Sequence, residues 1–238
     1  MIFLKQHKIV FLKAQKVAGT SFEIALSKYA GDEDIITAIY GKDEALRKSL
    51  GFRSAQNAEY SLSEILSSHK LEYLRRRLKG KRLYKYRNHM SAEEAFKKLG
   101  REVWDSSVKV SIVRNPYDFV VSNYFWRTKG KKTRPEFSEW FYNNPHLINN
   151  NYAQYFIDGK DVIDFYIRFE NFEVDIPALE RQVESLSGLY ETFASINAKG
   201  NIRPAGSSSK EFFRGHDDIV KVISEKNRYI IDKFGYEL

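Results

Sequence analysis

The chain has 238 residues, 42% of them apolar and 15% aromatic, enough for one sizeable core, and nothing in that length requires a second domain. A formal charge of +8 and a pI near 9.4 point to an anionic ligand, a nucleic acid or an acidic surface as partner. Zero cysteines exclude disulfides, thiol catalysis and cysteine-ligated zinc, and no window approaches the roughly 18 apolar residues of a membrane span.

In chain order, the first strand is expected over Ile9 to Leu12. It runs into a loop containing Lys16 and Gly19, followed by the hydroxyls of Thr20 and Ser21 and a helical pattern from Phe22 to Tyr29. A strand–loop–helix of this kind directs backbone N–H groups and the positive helix end at one point, where an anion fits. A Gly-Thr-Ser helix start also reads simply as a good N-cap. The common nucleotide-hydrolase loop carries its lysine after the second glycine, whereas Lys16 precedes the loop's glycine.

Residues 31–60 are polar and show no clear period. Ser61 with Glu64, and Ser91 with Glu94, each match a capping box, so helices are expected to begin at both places, the second leaving His89 in a loop just before it. Between them crowd Arg75, Arg76, Arg77, Lys79, Lys81, Arg82, Lys85 and Arg87. They read as a solvated helix followed by an edge strand, as a wall that attracts an anionic ligand, or as a nucleic-acid stripe; no DNA- or RNA-binding signature accompanies the third reading.

Val108 to Val113 alternates and is rich in β-branched residues, a strand. It ends in Arg114-Asn115-Pro116, where Asn115 can cap and Pro116 can enter the first turn of a helix running through Val120, Val121, Tyr124 and Phe125. The arginine's planar fork suits a phosphate, and Ser122, two turns beyond Asn115, can share the same face. Phe165 to Phe169 reads as another strand. Asp175 is expected to cap a helix with Pro177 in its first turn, residues 200–215 to form a loop, and a last helix to run from about Asp218 to Phe234. Strands alternating with helices imply an α/β fold with a parallel sheet covered on both faces, and a ligand beyond the strands' carboxyl ends.

Two stretches carry a family resemblance. Gln15-Lys16-Val17-Ala18-Gly19-Thr20-Ser21 resembles the 5′-phosphosulfate loop of carbohydrate sulfotransferases that use PAPS (3′-phosphoadenosine-5′-phosphosulfate), roughly Pro-Lys-Thr-Ala-Gly-Thr-Ser. Gln15 and Val17 depart from that pattern. Val113-Arg114-Asn115-Pro116-Tyr117-Asp118, with helical Ser122, is similar to the family's 3′-phosphate motif. Weaker matches are Arg168-Phe169-Glu170-Asn171, read as mainly structural, and Phe234-Gly235-Tyr236. Asn201 through Lys210 resembles the loop that closes over the nucleotide, although its Pro-Ala-Gly-Ser-Ser-Ser run departs from the usual pattern.

The resemblance implies one domain over residues 1–238 with a three-layer, P-loop-like α/β fold and a central, mainly parallel sheet. It places the donor on Lys16, Ala18, Gly19, Thr20, Ser21, Phe22, Arg114, Ser122 and Arg203, with Lys16 also neutralising the leaving oxygen and no metal taking part. The acceptor needs a proton acceptor, and His89, followed by Ser91 before a helix, fits the family's base; Glu93 or Glu94 is the fallback. The expected reaction is sulfuryl transfer from PAPS to a hydroxyl on a glycan or glycolipid. Family members of the Golgi carry a membrane anchor and cysteines, so a soluble, cytoplasmic, bacterial or viral protein is expected here. A kinase with an atypical phosphate loop, or a basic nucleic-acid-binding module, remains the alternative.

Overall fold

The computed structural model describes residues 1–67, 71–149, 151–196 and 208–238. Five strands form one mixed sheet: β1 (Ile2–Leu4), β2 (Ile9–Leu12), β3 (Ile35–Ile36), β4 (Val108–Val113) and, after a two-strand hairpin β5 (Phe156–Ile157) and β6 (Lys160–Asp161), β7 (Phe165–Arg168). Their order is β3-β1-β2-β4-β7. The parallel part is β2-β4-β7, with Phe11 opposite Val110 and Val110 opposite Phe165. All four residues of β2 are buried, as expected of a central strand covered on both faces.

The sheet is less parallel than the sequence implies, because β1 runs antiparallel to both β2 and β3. The connection from Leu4 to Ile9 is a tight turn in which the Lys8 N–H donates to the Lys5 carbonyl, 3.2 Å. A turn that short can only reverse the chain; a parallel crossover needs a dozen residues or more. With three residues, β1 is too short for an alternating pattern to announce it.

Each parallel strand ends on the same edge of the sheet and turns into a helix: β2 into Gly19–Leu26, β4 into Pro116–Arg127, β7 through a 3-10 turn into Phe172–Gln182. Asn115 caps the second helix as expected, its Oδ1 accepting from the Tyr117 N–H at 3.0 Å, with Pro116 in the first turn. The capping box at Ser61 is complete: Glu64 N donates to Ser61 Oγ at 3.1 Å and Ser61 N to Glu64 Oε2 at 2.9 Å. At Ser91 only half forms, since the Glu94 carboxylate is drawn away by Arg87 and Lys98.

Several expected boundaries move for identifiable reasons. The first helix starts at Gly19 rather than Phe22 and closes in a 3-10 turn, Ser27–Tyr29. Residues 31–60 contain both β3 and a helix, Gly41–Ser49. Asp175 is not a cap: its carboxylate binds the Arg168 backbone N–H at 2.8 Å and guanidinium at 2.7 Å, so the helix begins earlier and Pro177 lies inside it. In the segment read as a loop to residue 215, Ser208 caps a short helix, Ser209–Phe213. The last helix is two, Asp217–Lys226 and Arg228–Phe234, broken at Asn227, whose side chain donates to the Ile223 and Ile148 carbonyls.

Two apolar cores result. One surrounds the sheet; the other gathers Tyr124, Phe125, Phe137, Trp140 and Phe213 around the Pro116–Arg127 helix in edge-to-face pairs. No helix among the described residues is long and apolar enough to cross a membrane.

Inside the first core lies a buried ion cluster. Glu23, fully enclosed on the first helix, takes Lys13 Nζ at 2.5 Å and the Met1 amine at 2.6 Å, and Thr37 completes the group. Burial alone would raise the Glu23 carboxyl, but the two cations outweigh it and hold it down to about 2. A folded value below the ordinary 4.5 contributes stability above pH 4.5 that is lost as pH falls toward 2. Glu23→Gln should therefore cost about 3–5 kcal/mol at neutral pH, by stranding Lys13 in the core, and should flatten the acid limb of urea-denaturation stability over that window.

Candidate active site

The cleft at the carboxyl ends of β2 and β4 has a volume of about 420 Å³. Lys13 to Ser21 line one side, Arg114, Ser122, Phe125 and Trp126 another; His89, Phe169 and Phe172 complete it. Lys16, Ala18, Gly19, Thr20, Ser21, His89, Arg114 and Ser122, separated by more than a hundred positions in sequence at the extremes, therefore face one space.

The loop reaches its shape through two non-glycine residues in the left-handed region, Lys16 (φ 59°) and Ala18 (φ 58°). Such conformations cost energy and persist only where the surroundings impose them. Asn151 is one cause. Its side-chain amide mimics a strand partner, accepting from the Gln15 N–H at 2.7 Å and donating to the Gln15 carbonyl at 3.0 Å. Arg114 is the other, its NH1 donating to the Lys16 carbonyl at 2.9 Å.

Gly19 is required by space rather than by φ. A Cβ there would lie 2.9 Å from Lys13 Cγ and 3.4 Å from the Ala14 carbonyl, and Lys13 is pinned by Glu23. The helix that Gly19 starts has Ala18 at its N-cap and no side-chain capping bond, so Thr20 and Ser21 are not acting as caps. Its first N–H groups have no protein partner among the described residues, and they open toward the cleft with the positive end of the helix dipole.

Phe22 does not line the cleft. Its N–H donates back to the Ala18 carbonyl, and its ring is buried against Phe11 and Phe193. Arg203 lies outside the described residues.

On the facing wall, the Arg114 guanidinium is oriented before any ligand arrives. It stacks 4.0 Å from the Phe169 ring centroid, and Asp118 accepts from its Nε at 2.7 Å and from NH2. Asp118 in turn takes the Ser209 hydroxyl at 2.6 Å, which ties the segment after residue 207 to this wall. Phe169 thus has a place in the site; its neighbours are structural, as expected. Glu170 accepts from the Asn115 N–H at 2.8 Å and from the Tyr236 hydroxyl at 3.0 Å.

Of the aromatics on the central helix, Tyr124 and Phe125 belong to the second core, whereas Trp126 is 41% exposed. Lys16 Nζ sits 4.2 Å above the Trp126 ring, a cation–π contact that holds the ammonium at the mouth of the cleft.

His89 is also in the left-handed region (φ 56°). Gln154 Nε2 fixes its carbonyl at 3.0 Å, and its Nδ1 lies 3.1 Å from the Lys13 carbonyl. A carbonyl only accepts, so Nδ1 carries the proton and Nε2 is left as the basic atom. Burial, reinforced by the Lys13 charge, pushes the ring down from 6.5 to about 4. The imidazole is thus neutral and able to accept a proton at physiological pH. Glu93 and Glu94 are spent on Lys97, and on Arg87 and Lys98, respectively.

Lys13, Asn151 and Gln154 were beyond sequence reasoning as site residues. The first adjoins a recognised motif, but the next two act across more than sixty positions through amides that no pattern flags. No family model matches the chain, and neither a curated protein nor a solved structure does.

The unfolded His89 protonates near pH 6.5 and the folded one only near 4, so the wild type loses stability as pH falls through that interval, by up to about 1.4 kcal/mol per pH unit. His89→Gln should lack this component. Urea denaturation of both proteins at pH 7 and 4.5 measures it, and equal losses would mean that the ring is not held neutral.

Proposed function

We propose that the cleft binds 3′-phosphoadenosine-5′-phosphosulfate and that the protein is a sulfotransferase acting on a hydroxyl, with a carbohydrate as the acceptor class favoured by the motif resemblance. The observation that carries this reading is the convergence of Lys16, an uncapped helix start, Arg114, Ser122 and a neutral His89 on one cleft. In this reading the mixed sheet and its strand–turn–helix units are a P-loop-like fold.

The N–H groups of Gly19, Thr20 and Ser21 would hold the 5′-phosphate and its leaving oxygen, while Arg114 and Ser122 take the 3′-phosphate. The acceptor oxygen attacks sulfur in line as the bond from sulfur to the bridging phosphate oxygen breaks. The acceptor proton passes to His89 Nε2, and Lys16, swung from Trp126, neutralises the departing phosphate. The protein supplies position and charge, as in phosphoryl transfer. A kinase would share the anion cradle, and ATP binding separates the two readings.

Thermal-shift titration with 3′,5′-adenosine bisphosphate at about a hundred times its Kd should stabilise the protein by about 2.7 kcal/mol, with ATP–magnesium and an oligonucleotide well behind. Preference for ATP–magnesium would refute the donor. His89→Ala should lower sulfate transfer about 10²–10⁴-fold yet retain bisphosphate binding, whereas a comparable loss of binding would remove the base assignment. In the wild type the acid limb of kcat/KM should lie nearer pH 4 than 6.5, because the free-enzyme imidazole protonates only there.

A further inference from the structure

The basic segment singled out in the sequence takes no part in the cleft. It forms a helix, Leu71–Leu78, that ends at Gly80 (φ 70°), where the N–H groups of Gly80 and Lys81 close on the Arg77 and Arg76 carbonyls at 2.9 and 3.0 Å. Arg75, Arg76, Arg77, Lys79, Lys81 and Arg82 are all exposed. Their acidic neighbours are few: Glu72 lies 4.0 Å from Arg76, and Glu59 lies 3.8 Å from Arg77 and 3.5 Å from Arg82. Six cations against those two carboxylates leave four positive charges on one short stretch.

The helix dipole accounts for cations in a last turn. It does not account for the apolar side chains exposed among them. Leu62 is 60% exposed, Leu66 62% and Leu78 78%, so three of the four large exposed leucines among the described residues fall within seventeen positions of this segment. Leu62 and Leu66 are four apart on the Leu62–Ser67 helix and share a face; Leu78 shares one with Arg75 on the next helix. Tyr84, also exposed, follows directly.

We infer that the exposed leucines and tyrosine Leu62, Leu66, Leu78 and Tyr84, with the cations at positions 75–82, form a docking surface for an anionic lipid bilayer. A nucleic acid or an acidic glycan would satisfy the cations but offers no apolar phase for three leucines. A bilayer interface offers both: anionic headgroups for Lys and Arg, whose long stems let the charge stay in the headgroup layer, and acyl chains for Leu. The tyrosine suits the boundary between them. Such a surface holds the protein on the membrane without any segment crossing it. The inference is independent of the donor, and the two stand or fall separately.

The test is flotation of the full chain with phosphatidylcholine vesicles, with and without about a quarter phosphatidylserine. Co-flotation is expected with the anionic vesicles alone. Arg75→Glu/Arg77→Glu should weaken partitioning about fivefold or more per charge, and Leu62→Ser/Leu66→Ser/Leu78→Ser about tenfold or more. Circular-dichroism melting establishes that each variant is folded; if the triple variant is not, Leu78→Ser, at the most exposed of the three sites, replaces it with a measurable drop still expected. Failure to float with anionic vesicles overturns the proposal. So does binding that the leucine variants leave unchanged and that heparin or an oligonucleotide competes away, which would mark a surface for soluble polyanions.

Discussion

The contact on which the site depends is the buried ion pair between Lys13 and Glu23. Lys13 is the first residue after β2, and Glu23 sits one turn into the helix that follows. Neither charge can stay in the core alone, so the pair fixes how far the helix lies from the strand and therefore how tightly the intervening loop must turn. The Lys13 stem fills the space beneath residue 19, which is why that residue has no Cβ. The Lys13 carbonyl takes His89 Nδ1, which sets the tautomer of the imidazole. One pair thus links the sheet, the anion-facing helix start and the proton acceptor.

Around this anchor the two walls are braced by two amides, a carboxylate and an aromatic ring, together with Arg114 itself. Asn151 and Gln154, on one short turn, hold the Gln15 backbone and the His89 carbonyl. Arg114 is braced by Asp118 and by the Phe169 ring while donating to the loop. The left-handed conformations of Lys16, Ala18 and His89 concentrate at the points where these braces act. Strain so placed keeps donors and acceptors aimed before a ligand arrives, which lowers the cost of ordering them on binding.

Charge elsewhere on the molecule follows a different logic. In the core, Lys13 and the Met1 amine are enclosed against Glu23. On the Leu71–Leu78 helix, cations outnumber carboxylates and stand beside exposed leucines. The same residue types serve rigidity in one place and attraction to an outside surface in the other, and burial decides between them.

The sequence by itself determined the parallel heart of the sheet, the helix starts at Ser61, Ser91 and Asn115, and half of the residues that line the cleft. These are local facts: β-branched alternation, a capping side chain three residues from its partner, a loop between a strand and a helix. Tertiary structure alone decided the antiparallel β1, the shift of Asp175 from cap to ion-pair partner, the burial of Phe22, and the roles of Lys13, Asn151, Gln154 and Trp126. Each of those depends on groups far apart in the chain meeting at contact distance. The amide that clasps Gln15 is 136 positions away from it. Short-range patterns carry no trace of such pairings, because the energy that selects them appears only once the core has closed.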